Sequence, residues 1–146
     1  MTVISSFPTA TNRILIHGDN TYTFTAAETL KAGQVVCLTS TGGDFKIYPA
    51  NSGDTVCPLG IVDQNATSGD TDVTVNLYGY VTKVANCDDT TAIEAGNAVK
   101  LSTADGAVVK VTPGGATEYI VGIAITDIAA DGWGDLLIAP HINTIA

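Results

Sequence analysis

The pattern of apolar and polar positions in this chain occurs twice. Leu30 to Leu38 reads L-K-A-G-Q-V-V-C-L and returns as I-E-A-G-N-A-V-K-L from Ile93 to Leu101. In both copies an aliphatic residue stands two places before Ala-Gly, and Val and Leu follow three and five places after the glycine. The two glycines, Gly33 and Gly96, lie 96 − 33 = 63 residues apart. Each copy is followed by a polar turn (Thr41 to Asp44, Ala104 to Gly106). A short alternating run with Lys outside then leads to Pro49 or Pro113 (Phe45 to Tyr48, Val108 to Val111). An apolar-Gly-apolar-apolar segment comes next, Leu59 to Val62 and Val121 to Ala124, at an offset of 122 − 60 = 62. A third apolar run closes each half, Val73 to Leu77 and Leu136 to Ile138. This period exceeds the roughly 20 to 50 residues of solenoid repeats. Two copies therefore predict one β-domain of two similar halves, about residues 30–84 and 93–140, rather than an array.

Period-two alternation and turn residues place strands near 34–39, 45–49, 58–63 and 72–78, then near 98–102, 107–112, 119–126 and 135–139. Tyr78 to Val84 either extends the last strand of the first half or bends it at Gly79, since an isolated strand glycine often marks a bulge. Thr25 to Glu28 and Asp89 to Glu94 each allow a single helical turn, too short to stand without packing. Asp131 to Asp135 reads as a loop that sets the only Trp, Trp133, between two glycines, and Pro140 to Ala146 as a short tail or arm. Residues 1–24 precede the first repeat and have no counterpart in it. Within them Arg13 to His17 reads as a short strand, and Thr21 to Thr25 as a half-buried strand on the edge of the sheet. Two readings stand for residues 1–17, which carry Phe7, Ile14 and Ile16: an arm that pairs with a partner's sheet edge or lies in a groove, or an edge strand of the chain's own domain. The division is thus an arm and edge strand over 1–24 and a β-domain over 25–146.

Composition agrees with an all-β chain. Hydrophobic residues make up 45% and charged residues only 14%, with 15 glycines as turn punctuation and many Thr and Val. Fifteen acidic against six basic side chains leave a charge of −9, the wrong sign for a surface that neutralises phosphates, so no nucleic-acid partner is expected. No apolar run approaches the roughly 20 residues of a membrane helix. The N-terminus has no basic region ahead of an apolar stretch, so synthesis and folding in a cytoplasm are expected. The three cysteines, Cys37, Cys57 and Cys87, lack CxxC spacing and read as reduced small side chains at sheet positions. Cys37 aligns with Lys100, which points to a face outside the core.

Little in the chain asks for chemistry. His17 and His141 have no Cys, Asp or Glu at metal-ligand spacing. Asp70 with Asp72, and Asp88 with Asp89, lack the ligand-rich loop of a dedicated calcium site and read as solvated loop carboxylates. Asn65-Ala66-Thr67 matches a glycosylation sequon and reads as a turn. No nucleophile elbow, phosphate-cradling loop or dinucleotide fingerprint occurs, so neither enzymatic activity nor a cofactor is expected. Trp133 has two readings, an interface anchor or a cap over the open end of its own barrel.

The doubled A-G-x-x-V-x-L, followed by an apolar-Gly-apolar segment and a β-run over roughly residues 25 to 140, resembles the capsid decoration, or head cement, proteins of tailed phages. That resemblance implies an all-β, β-tulip-like or β-barrel domain with an extended N-terminal arm. It implies a structural virion protein that binds the exterior of the expanded capsid as a homotrimer and bridges neighbouring subunits of the major capsid protein. It also implies that the N-terminal segment reaches along the shell, which makes Phe7, Arg13, Ile14 and Ile16 the expected contact residues, with Trp133 beside them. Where the family usually shows Gly-Glu or a similar acidic dipeptide before its last β-run, this chain has Gly69-Asp70 and Gly134-Asp135, a mild departure. The alternative is a carbohydrate-binding module of a phage tail or spike, for which an aromatic content of 6% offers few stacking platforms.

Overall fold

The computed structural model describes residues 20–39, 41, 45–112 and 117–144, and every regular element among them is a strand. The first half supplies β1 (Thr21–Ala26), β2 (Val35–Thr39), β3 (Lys46–Pro49), β4 (Gly60–Val62) and β5 (Val73–Asn76), which close into a barrel in the order β1-β3-β2-β4-β5. The second supplies β6 (Val81–Ala85), β7 (Ala98–Leu101), β8 (Val108–Lys110), β9 (Thr117–Ala124) and β10 (Trp133–Thr144), a five-stranded sheet in the order β6-β10-β9-β7-β8. These are the same order, strand for strand. β1 pairs with β5 as β6 pairs with β10, and β4 lies between β2 and β5 as β9 lies between β7 and β10. The difference is closure. In the first half β1 and β3 pair in parallel (Thr25↔Lys46, Ala26↔Ile47), whereas in the second a single parallel bridge, Asn86↔Val108, remains.

The repeated sequence is a repeated turn. The Ala32 N–H donates to Asn65 Oδ1 at 2.9 Å and the Ala95 N–H to Asp127 Oδ1 at 2.8 Å. The Gly33 N–H reaches the Val62 carbonyl at 2.9 Å and the Gly96 N–H that of Ala124 at 2.8 Å. One residue on, the side-chain oxygens of Gln34 and Asn97 accept from the N–H of Lys31 and Glu94 at 2.9 and 3.0 Å. Both glycines hold φ near +90°, a backbone that residues with a Cβ rarely adopt. The second repeated glycine answers to crowding. A Cβ on Gly60 would lie 2.2 Å from the Asn76 carbonyl oxygen, and one on Gly122 would lie 2.0 Å from that of Leu137.

Two cores follow. Phe24, Leu30, Val36, Ile47, Val62 and Val75 fill the closed barrel. The equivalent inward residues of the second half, among them Val84, Ile93, Val99, Val108 and Leu136, form another cluster together with Val35, Cys37, Ala50 and Ile61 of the first half. The open second sheet is thus plugged by the outward face of β2 and β4. Backbone bonds seal the joint: the Val35 N–H donates to the Gly106 carbonyl at 2.9 Å, Gly106 to Ala50 at 2.7 Å and Ser52 to Ser102 at 2.7 Å.

Several expectations change on this fold. The topological repeat begins at β1, which matches β6, one strand before the sequence match at Leu30. β1 is no edge strand, because β5 and β3 flank it. The chain turns at Gly79 (φ 85°) and β6 starts the second sheet. Neither helical turn forms: Thr25 and Ala26 belong to β1, and Ile93 bridges to Ile128. Pro140 to Thr144 are no tail, since β10 runs on past a register shift between Ile138 and His141 and pairs Ile142 with Tyr119. The shift houses Pro140, whose missing N–H suits a position beyond the reach of β6. Cys37 is fully buried rather than on a non-core face, because the second half covers the side of β2 that Lys100 leaves half-exposed on β7. The expected strand at Arg13 to His17 lies outside the described residues.

Candidate partner-binding surface

The acidic loops have local uses. Asp70 Oδ2 accepts from the Thr67 N–H and hydroxyl at 2.8 and 3.1 Å. Asp88 Oδ1 accepts from the Thr90 N–H and hydroxyl, both at 2.9 Å, and from the Thr91 N–H at 3.0 Å, and these donors hold its carboxyl below the usual carboxylate range. Among the described residues no three His, Cys, Asp or Glu gather as metal ligands would. His141 stands on β10 with Nδ1 2.8 Å from the Ala139 carbonyl, and His17 lies outside the described residues.

Cys37 is inert as a nucleophile. Burial, with Asp54 adding to it, pushes its thiol up to about 12, and burial together with Cys37 raises the Tyr48 phenol to about 12. Both groups are held neutral in the fold, so the stability this contributes is complete below their unfolded values. It is lost as pH rises through the folded ones. For Cys37 the window opens near 9.0. The denaturation midpoint is expected to fall with rising pH across this range, and Cys37→Ala to flatten part of the fall. At pH 8 a thiol reagent is expected to reach Cys37 only on unfolding, which mass spectrometry of labelled peptides reads directly.

What the surface offers instead is apolar. At one end of the barrel Tyr22, Phe24, Leu38, Phe45, Leu59 and Leu77 line a mouth of about 600 Å³. Tyr22 stacks on Phe45 with centroids 5.8 Å apart and meets Phe24 edge-on at 5.4 Å. Phe45 is 56% exposed and sits at φ 57°, a left-handed conformation uncommon for an aromatic residue. On the outer face of the second sheet, the register aligns Val81, Leu137, Ile123 and Ala98 in one row across β6, β10, β9 and β7. Beside it Lys83 Nζ pairs with Asp135 Oδ1 at 2.6 Å.

Trp133 is the first residue of β10, not a loop residue, because it pairs with Ala85 of β6. One edge of its ring lies over the first-half turn, so close that a Cβ on Gly33 would be 2.5 Å from Cζ3. The residue is still 59% exposed. It therefore clasps the two halves and leaves a face free. Trp133→Ala is expected to lower stability by about 1–2 kcal/mol in urea denaturation, less than a fully buried aromatic would cost. The other expected contacts, Phe7, Arg13, Ile14 and Ile16, lie outside the described residues.

Sequence reading missed the mouth and the row. Leu38 and Leu101 are matched residues of the repeat, yet Leu101 is buried and Leu38 is 40% exposed. Nothing local to either residue carries that difference. The one legible signal was Tyr22 and Phe24 at period two, whose inward side the structure places at the rim.

Comparison with known proteins agrees with the pattern of fold-specifying residues. The sequence profile of a family described as phage cement protein matches residues 16–137. No match is found among curated proteins. Among solved structures, the fold is similar to the N base of the head fiber gp8.5 of bacteriophage phi29, with a TM-score of 0.61 at 19% identity over 82% of this chain and 92% of that one. At that identity the likeness concerns the fold.

Proposed function

Because the chain belongs to the phage cement protein family, and is thus a structural protein of the virion capsid, we propose that it binds the exterior of the expanded head as a homotrimer and bridges neighbouring subunits of the major capsid protein. The family match over residues 16–137 carries this reading. A head filled with DNA is pressed outward, and a clamp across subunit boundaries resists separation without chemistry. Three linked contacts hold far more tightly than one, provided all engage together. Binding sites completed only on expansion make the clamp selective, since a ligand favours the state it binds better. Residues 1–17, with Phe7, Arg13, Ile14 and Ile16, are the contacts assigned to the shell, and the free face of Trp133 is a further one.

Co-sedimentation with purified heads, unexpanded and expanded in parallel, tests it. Saturable binding to expanded heads alone is expected, and removal of residues 1–17 is expected to weaken it by on the order of a hundredfold while the fold persists. Binding to neither form overturns the proposal, and undiminished binding after the deletion removes the arm from it.

A further inference from the structure

Among the described residues, the chain has one joint between its halves and two exposed surfaces that match, strand for strand, those from which the joint is made. In the internal joint, the outward row Thr21, Asn76, Ile61 and Val35 of the first half faces the second sheet, with Ile61 and Val35 fully buried and Asn76 nearly so. What receives that row is the rim of the second half: Leu101, Val121 and Ile138, all buried, with Thr82 Oγ1 3.5 Å from Asn76 Nδ2 and Gly106 bonded to Val35 and Ala50. Matched strand by strand, that rim is the mouth of the first half. Leu38, Leu59, Leu77, Tyr22 and Phe45 stand where Leu101, Val121, Ile138, Thr82 and Gly106 stand in the second. The row that fills the internal joint likewise has its match in Val81, Leu137, Ile123 and Ala98.

We propose that the mouth of one copy receives the outer row of the second sheet of another copy, head to tail, as the first half is received by the second within the chain. The inference deepens the homotrimer part of the function proposed above, and it rests on four observations. The mouth is lined by aliphatic and aromatic side chains, and its counterpart is closed by a unit of this same chain. Where the internal joint pairs polar Asn76 with polar Thr82, the two exposed surfaces carry Leu137 and the aromatic ring of Tyr22 at the same positions. Phe45 shares the positive φ of Gly106, 57° against 76°, so the rim keeps the backbone shape that docks on Val35 and Ala50. Ala98 and Val111 on the outer face also keep the mutual bond of the residues they match, 3.1 Å against 2.9 Å for Val35 and Ala50. Each copy offers one mouth and one row, so the contact is heterologous and continues until a ring closes.

Sedimentation velocity of the full chain tests this without heads, so failure here and failure of head binding are separate results. Wild type is expected to form a trimer. Ile123→Asp, which spoils the row, and Tyr22→Asp, which spoils the mouth, are each expected to weaken self-association by on the order of a hundredfold or more. An equimolar mixture of the two is expected to yield a one-to-one dimer and stop, because only one intact mouth and one intact row remain. Circular dichroism confirms the fold, and Val81→Asp and Tyr22→Ser serve as second variants at each surface. A monomeric wild type, a mixture that stays monomeric, or Ile123→Asp and Val81→Asp assembling like wild type overturns the proposal. Tyr22 variants failing while both row variants assemble overturns it too, and gives the mouth to another occupant such as residues 1–17.

Discussion

Gly122→Ala is expected to cost about 3 kcal/mol or more, and Gly60→Ala nearly as much, measured by denaturant unfolding. Neither glycine needs an unusual backbone, so the cost comes from space. On Gly122 the added methyl would sit 2.0 Å from the Leu137 carbonyl oxygen, and on Gly60 2.2 Å from that of Asn76. Real Cβ atoms do not approach so closely, and a backbone carbonyl in a ladder cannot move aside as a flexible side chain would. The strands on either side must separate, β9 from β10 or β4 from β5, and ladder bonds are lost with the packing. Gly96→Ala is the control. Its Cβ would meet nothing within 4 Å, so only the backbone strain at φ 90° remains, about 1 kcal/mol. If Gly122→Ala unfolds with the stability of Gly96→Ala, the close approach is not what selects glycine there.

The second large effect is a contrast between two isoleucines at the same place in the repeat. Ile61→Ala is expected to lose about 2–5 kcal/mol, because Ile61 is fully buried between the halves and its removal leaves a cavity among Val35, Ile138 and their neighbours. Ile123→Ala is expected to lose under about 1 kcal/mol, because Ile123 is 41% exposed on the outer face and water fills the space. Thermal or urea unfolding of the two variants under conditions that keep the chain monomeric reads the difference. Equal losses would mean that the second half does not cover the outer face of the first.

That contrast marks how far the sequence reaches. The repeat itself was legible, because its devices are local and chemically specific. Gly33 and Gly96 hold a backbone that favours glycine, and Gly60 and Gly122 leave room for a neighbouring carbonyl. The apolar alternation of β5 and β7 follows from strands with an inward face. The partners of the turn were present too, Gln34 with Asn97 and Asn65 with Asp127. Their paired side chains become meaningful only when their hydrogen bonds to Lys31, Glu94, Ala32 and Ala95 are seen.

What only the tertiary structure decided is which half lies on which. Leu38 and Leu101, Ile61 and Ile123, and Cys37 and Lys100 are matched positions with opposite or unequal burial, and no neighbour in sequence distinguishes them. The same is true of Trp133, whose place on the Gly33 turn joins residues a hundred positions apart (133 − 33 = 100). A strand's inward face is written in its own alternation, whereas the covering of its outward face depends on another unit. In the first half that unit is the second half of the chain; in the second, Val81 and Ile123 of the outward face stay exposed among the described residues.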